Sequence, residues 1–243
     1  MCGIVGYIGT RQASDLLVTG LKRLEYRGYD SAGVAVVNGS VSIRKKRGKV
    51  GELASALEAS PVHGTLGIGH TRWATHGAPN DVNAHPHTAP NGRFARVHNG
   101  IIENYGAIRK RLIADGYTFH SDTDTEALVH LIDDVQRKTR LSLAEAVRQA
   151  LTQVRGTYGI VVVSEDDPDM LIAARLGSPR ILGLGEGENF VASDASPLIE
   201  HTRHVVYLND GEMAVVRRDG YEVFSIEGAP VAKEVHELEW DLE

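Results

Sequence analysis

The only cysteine of the chain is residue 2, directly behind the initiator in Met1-Cys2-Gly3-Ile4-Val5-Gly6. Initiator methionine is usually trimmed when the next side chain is small, and trimming here puts a thiol and a free α-amine on one residue. The amine titrates at about 7.7–8.0 and a thiol at about 8.5, so near neutral pH the amine can serve as base for the thiol. Position alone equally fits a small residue buried in an apolar strand. Three further clusters bear on the choice. His70-Thr71-Arg72-Trp73-Ala74-Thr75-His76-Gly77 gathers a guanidinium, two hydroxyls and two imidazoles where a strand runs into a long loop. Arg72 offers a planar fork suited to a carboxylate, and Thr75 and His76 can complete the anion's hydrogen bonds; a surface arginine beside a loop-stabilising threonine fits equally well. In His98-Asn99-Gly100, the Asn99 amide and the Gly100 N–H can point at one spot and hold an oxyanion, where each donor supplies about 3–4 kcal/mol. As an isolated pair, Asn-Gly reads first as a turn. Ser121-Asp122-Thr123-Asp124-Thr125-Glu126 opens a helix, so one carboxylate can cap it while another faces a ligand ammonium; capping is the default.

The elements that must position these groups follow from periodicity. Residues 2–9 read as an apolar strand, and Leu16, Leu17, Leu21 and Leu24 recur at helical spacing until Arg27-Gly28. Residues 32–37 and 41–46 form a hairpin through Asn38-Gly39, where both turn residues tolerate positive φ. A helix over 50–59, a strand over 65–70, a Pro-, Asn-, His- and Gly-rich loop over 74–92 and a strand over 93–98 follow. Helices are expected over 105–115, with Gly116 as its stop, over 124–138, and after the capping box Ser142-Leu143-Ala144-Glu145. Beyond Thr157, short β-rich runs at 160–164, 170–174, 181–184, 190–192, 205–208, 213–216 and 223–226 alternate with turns, which predicts a mainly antiparallel half. Two sheets layered between helices fit this order.

Composition narrows the function. The 243 residues carry 42% hydrophobic side chains, enough for one large domain, and a formal net charge of -6. That charge argues against a nucleic-acid partner, and Arg44-Lys45-Lys46-Arg47 reads as a solvated strand end. One cysteine cannot form an intrachain disulfide, no basic leader precedes an apolar h-region, and no run of about 18 apolar residues occurs. A cytoplasmic protein with no membrane association is expected. Gly183-Leu184-Gly185-Glu186-Gly187 resembles a phosphate loop, but no helix pattern follows it, so it reads as a hairpin turn. The 11 histidines, among them His85-Pro86-His87, lack a His-x-x-x-His helix or a cysteine pair, so no metal and no cofactor are expected.

Several long motifs in one order carry a family resemblance: Cys2-Gly3-Ile4-Val5-Gly6, residues 24–33 (LEYRGYDSAG), His70 to Gly77, Asn83-Ala84-His85-Pro86-His87, His98 to Asn104 and Ser121 to Glu126. Together they resemble the glutaminase (class II glutamine amidotransferase) domain of the glutamine–fructose-6-phosphate aminotransferases (isomerising), across nearly the whole chain. The resemblance implies an α+β, four-layer αββα N-terminal-nucleophile hydrolase fold with two stacked antiparallel sheets. It implies that Cys2 attacks the carboxamide of L-glutamine, that Asn99 and Gly100 hold the oxyanion, and that Arg72, Thr75 and His76 bind the α-carboxylate while Asp124 takes the α-ammonium. Arg27 resembles the arginine near the nucleophile, and Trp73 the gate over the ammonia exit. In the family two sugar isomerase domains follow, in an enzyme expected to be a homo-oligomer, whereas this chain ends at Glu243. The expectation is therefore an excised glutaminase domain over 2–243 that hydrolyses glutamine but does not make the amino sugar alone. Rival readings are the glutaminase domain of another class II amidotransferase, an N-terminal-nucleophile amidase for a different amide, or a silent regulatory or metal-binding module.

Overall fold

Gly3 to Ile8 are buried at every position, which an amphipathic strand would not be; the strand they form is covered on both faces. A computed structural model describes residues 2–74 and 77–239 of the chain. In it, β1 (Gly3–Ile8) and α1 (Ala13–Arg23) lead through a 3-10 turn (Glu25–Arg27) to β2 (Ser31–Val37), β3 (Val41–Arg47), α2 (Val50–Ala59) and β4 (Leu66–Arg72). Next come β5 (His87–Thr88), β6 (Phe94–Ile102), α3 (Tyr105–Ala114), α4 (Asp124–Thr139) and α5 (Leu143–Leu151). The chain continues through β7 (Gly156–Ser164), β8 (Leu171–Leu176), β9 (Ile181–Leu184), β10 (Asn189–Ala192), β11 (His204–Tyr207), β12 (Glu212–Val216), β13 (Tyr221–Ser225) and β14 (His236–Glu237).

The strands form two sheets, ordered β14-β11-β9-β10-β1-β4-β2-β3 and β13-β12-β8-β7-β6-β5, and every strand pairing in them is antiparallel. Alternation along each strand divides the apolar residues into three cores. Ile4, Ile8, Ile68, Val97, Val161 and Leu182 fill the space between the sheets. Val5, Tyr7 and Val34 face α1 and α2 through Leu17, Leu21 and Leu53. Phe94, Ile160 and Ile172 face α3 to α5 through Leu112, Leu128 and Val147. The result is the four-layer αββα arrangement, and each fully buried aliphatic side chain contributes about 1.5–3 kcal/mol relative to exposure.

The expected elements appear in order and type, while the 3-10 turn, β5, which falls inside the expected 74–92 loop, and β14 have no sequence counterpart, and three further details differ. The β2–β3 connection spans Asn38 to Ser40, and only Gly39 takes a positive φ (68°), because Val37 pairs with Val41. Thr123 caps α4 by accepting from the Glu126 N–H at 3.3 Å, so a hydroxyl and not a carboxylate does this work. Asn99 and Gly100 are not a turn: β6 runs through them to Ile102, with Asn99 opposite Gly159 and Gly100 opposite Tyr158. Long-range pairing with β7 overrides the local turn preference of the dipeptide. Ser142 caps α5, Gly116 follows α3 with φ 94°, and residues 185–188 close a hairpin between β9 and β10, all as expected. No helix among the described residues is long and apolar enough to cross a membrane.

Candidate active site

Cys2 sits just ahead of β1, at the rim where the two sheets meet. Strand β4 pairs with β1 so that Thr71 lies opposite Gly3, and the Gly3 N–H donates to Thr71 Oγ1 at 3.1 Å. That register brings the residues after Thr71 alongside the thiol. The Trp73 N–H donates to Cys2 Sγ at 3.2 Å, and the thiol in turn faces the Trp73 carbonyl at 3.6 Å. Burial pushes the Cys2 thiol up from its ordinary pKa, while the Trp73 hydrogen bond and the charges of Arg72 and Arg180 pull it back.

The 25–30 segment holds this corner from outside. Gly28 runs against the backbone of Arg72 and Trp73, where a Cβ would lie 2.7 Å from the Arg72 carbonyl carbon. Asp30 accepts from the Ala74 N–H at 2.8 Å, and its own N–H donates to the Arg72 carbonyl. Arg27 donates through Nε to the Cys2 carbonyl at 3.3 Å and pairs with Asp194 at 2.9 Å. Its charge is thus matched by a carboxylate, and what it visibly does is brace the backbone of the cysteine.

Strand β6 brings in the second sheet's contribution. Asn99 Nδ2 donates to the Cys2 carbonyl at 2.8 Å, so the amide lies beside the thiol-bearing residue. Gly100 takes φ 123°, and a Cβ there would sit 2.2 Å from the Thr157 carbonyl oxygen, so no other residue fits without strain. Asp124, the first residue of α4, is buried beside the end of β6 and accepts from the Ile102 N–H through Oδ2. Arg72 ends β4 as a buried guanidinium that donates to the Gly77 and Ala78 carbonyls at 3.0 and 3.4 Å. Burial lowers its pKa, and Cys2, Asp30 and Asp124 oppose that.

These groups line one cavity of about 320 Å³. Cys2, Arg27, Arg72, Trp73, Asn99, Gly100 and Asp124 all border it, and His85, His98, Thr123 and Ser178 complete much of the wall. Trp73 is 45% exposed at the mouth and packs edge-on against Tyr29 with centroids 5.5 Å apart. Thr75 and His76 lie outside the described residues. Sequence reasoning missed His98, which contacts Thr125 Oγ1 at 3.1 Å, and His85, which packs at a tilt against His70 with centroids 4.3 Å apart. Burial drives the His98 pKa to about 4 and that of His85 well below the usual value, so both are neutral imidazoles. Among the described residues no three His, Cys, Asp or Glu side chains are grouped to hold a metal ion. A larger cleft of about 740 Å³, bordered by Lys45, His87, Glu126 and His130, has no thiol on its lining. Lys45 is therefore more than a solvated strand end: burial lowers its pKa to about 8, and it donates to the Val82 carbonyl.

A thiol beside an N-terminal strand, two antiparallel sheets between helical layers and an Asn-Gly pair on the facing sheet define an N-terminal-nucleophile amidotransferase fold. The comparisons agree. The glutamine phosphoribosylpyrophosphate (PRPP) amidotransferase from B. subtilis, solved with ADP and GMP, superposes with a TM-score of 0.80 at 26% identity, over 93% of this chain and 49% of that one. Residues 70–200 match the family described as "Glutamine amidotransferase domain", and the chain belongs to that family. Over its whole length it is 58% identical to the glutamine–fructose-6-phosphate aminotransferase (isomerising) of Chlorobaculum tepidum and 52% identical to that of Thermus thermophilus. The chain spans about 40% of the length of each of these relatives.

Proposed function

We propose that this chain is a glutaminase that hydrolyses the side-chain amide of L-glutamine to glutamate and ammonia. The observation that carries the reading is that Cys2, Asn99, Arg72 and Asp124 line one 320 Å³ cavity. A nucleophile, an oxyanion donor, a cation for an α-carboxylate and an anion for an α-ammonium are the groups that an amino-acid amide requires.

The chemistry follows from those groups. Loss of Met1 frees the Cys2 amine, which takes the thiol proton directly or through water, and Sγ attacks the carboxamide carbon. The C=O π electrons move to oxygen, and the oxyanion is met by Asn99 Nδ2 and the Gly100 N–H. Collapse breaks the C–N bond, the amine's proton goes to the leaving nitrogen, and ammonia departs from a γ-glutamyl thioester. Water then attacks the thioester, which releases glutamate and restores the thiol. Arg72, with Thr75 and His76, reads the substrate carboxylate and Asp124 its ammonium. Trp73 and the residues after it close over the bound amino acid. Arg27 steadies the Cys2 carbonyl.

The relatives' names carry fructose 6-phosphate as the acceptor, so on this reading the ammonia is destined for that sugar phosphate, with sugar isomerase domains as the acceptor partner and a homo-oligomer as the assembly. The deciding experiment compares glutamate release by the chain starting at Cys2 with release by a version carrying an uncleavable N-terminal extension. Activity in the first alone is expected. Equal activity in both overturns the N-terminal mechanism, and inactivity in both overturns the glutaminase reading of the chain.

A further inference from the structure

A side-chain amide serves an oxyanion only if its nitrogen, and not its oxygen, faces the reacting carbon. Nothing in the backbone of β6 decides which end of the Asn99 amide points at Cys2, because a half-turn of χ2 exchanges the two. The choice is made from the opposite sheet, by two groups: the Cys2 carbonyl, which accepts from Nδ2 at 2.8 Å, and His70, which meets the other end of the amide. His70, on β4, is fully buried between the sheets, and its Nε2 lies 3.0 Å from Asn99 Oδ1 and 3.0 Å from the His98 carbonyl oxygen.

Both neighbours of Nε2 are oxygens, so Nε2 must carry the proton and donate to both. The His98 carbonyl enforces this whatever Asn99 does, since a backbone carbonyl can only accept. With Nε2–H fixed as a donor, a flipped Asn99 would set its NH₂ against that N–H, donor to donor. The stable arrangement puts Oδ1 on His70 and Nδ2 on the other side, 2.8 Å from the Cys2 carbonyl. The ring is itself held by His85, packed at a tilt with centroids 4.3 Å apart, and His85 meets His87 edge-on at 5.1 Å. Register adds a second constraint: His70 lies opposite Ile4 in β1, one pair along from Gly3 and Thr71, so the strand that carries it also borders the nucleophile.

We infer that His70 is a positioning residue for the oxyanion-holding amide, fixing the Asn99 side chain with Nδ2 toward the reacting carbon through hydrogen bonds to Asn99 and the His98 carbonyl. The inference rests on the glutaminase reading. Among the described residues Nδ1 of His70 has no hydrogen-bond partner, so there the ring's hydrogen bonds are all made at Nε2.

The test is a double-mutant cycle on glutamine hydrolysis with His70→Leu, His70→Gln and Asn99→Ala, with each variant's fold checked by thermal melting. Removing one oxyanion donor costs on the order of 10²–10³ in kcat, which bounds what losing its orientation can cost. His70→Leu is expected to lower kcat by about 10–100-fold within that bound, with KM changed by less than about threefold. A glutamine amide places its nitrogen near the position of Nε2, so His70→Gln should recover most of the activity. In the Asn99→Ala background, His70→Leu should cost almost nothing further, because no amide remains to be oriented. The affinity for glutamate γ-semialdehyde, whose thiohemiacetal presents an oxyanion, should fall in parallel with kcat. An equal loss in both backgrounds, or His70→Gln as impaired as His70→Leu, overturns the inference while the wild-type turnover stands. Absence of turnover in the wild type overturns the glutaminase reading, and this inference with it.

Discussion

Asp124 Oδ2 accepts a 2.9 Å hydrogen bond from the backbone N–H of Ile102, which joins the first residue of α4 to β6 two residues beyond Gly100. One carboxylate oxygen is thereby committed to the scaffold. On the glutaminase reading its charge remains for a substrate ammonium, and the N-terminal end of α4 is a favourable place for a carboxylate.

This double duty separates two substitutions. Asp124→Asn keeps an oxygen that can accept from Ile102 but removes the countercharge. Its KM for glutamine should rise about 10–100-fold, the equivalent of the roughly 1.5–3 kcal/mol of a charged hydrogen bond, with little change in melting temperature. Asp124→Ala should raise KM as much and also lower the melting temperature, because the buried Ile102 N–H loses its partner. Steady-state kinetics with calorimetry checks both; an unaltered KM in Asp124→Asn reduces Asp124 to its structural bond.

Much of the candidate site was legible in the sequence because it lies in contiguous runs. Cys2, the 70–77 segment and Asp124 each sit at the start or end of an element that hydrophobic periodicity already marks. Asn99 and Gly100 stood out as candidate oxyanion donors but not as strand residues: the dipeptide lies inside β6, paired with β7 some 60 residues away in sequence. The histidines show the limit most plainly. His70, His85 and His98 follow no metal spacing, and their role depends on which oxygen or ring the facing layer supplies. That information resides in the pairing of the two sheets. At the start of α4 the expected carboxylate cap is replaced by Thr123, and Glu126 reaches back to the His120 and Ser121 N–H groups at 2.8 and 2.6 Å.

Those buried histidines make the fold sensitive to acid. Burial lowers the pKa of His70 to about 3 and of His98 to about 4, and those of His85 and His87 fall well below the usual value. The unfolded chain binds protons at these residues near pH 6.5 and the folded chain does not, so stability is full above about pH 6.5 and falls as pH drops below it. Each such histidine contributes up to about 1.4 kcal/mol per pH unit. Glu126 acts later. Although burial alone would raise its pKa, hydrogen bonds from His130, Ser121 and His120 hold it at about 2, so its contribution fades only between about pH 4.5 and 2. Unfolding free energies from urea titrations between pH 7.5 and 4.5 should therefore decline from about pH 6.5 downward by several kcal/mol per pH unit. A flat profile to pH 5 would show that these imidazoles are protonated in the fold.

Arg180 carries the opposite liability. It is fully buried, and it donates to the Pro179 and Gly159 carbonyls, while its Nε has no hydrogen-bond partner among the described residues. Burial lowers its pKa to about 9, and among the charges that act on it only Cys2 opposes the shift. A buried cation without a carboxylate costs more to desolvate than two carbonyls return, and apolar replacement of buried ionic groups is often stabilising by about 1–4 kcal/mol. Arg180→Leu should therefore raise the melting temperature by several degrees, at about 2–4 °C per kcal/mol for a chain of this size. The same substitution removes a positive charge that favours the Cys2 thiolate, since Gly159, to which Arg180 is bonded, lies opposite Asn99 in the β6–β7 register. Alkylation of Cys2 by iodoacetamide as a function of pH should accordingly show its midpoint displaced upward. A lower melting temperature with an unmoved alkylation midpoint would mean that Arg180 is held for its hydrogen bonds and that its charge does not reach the thiol.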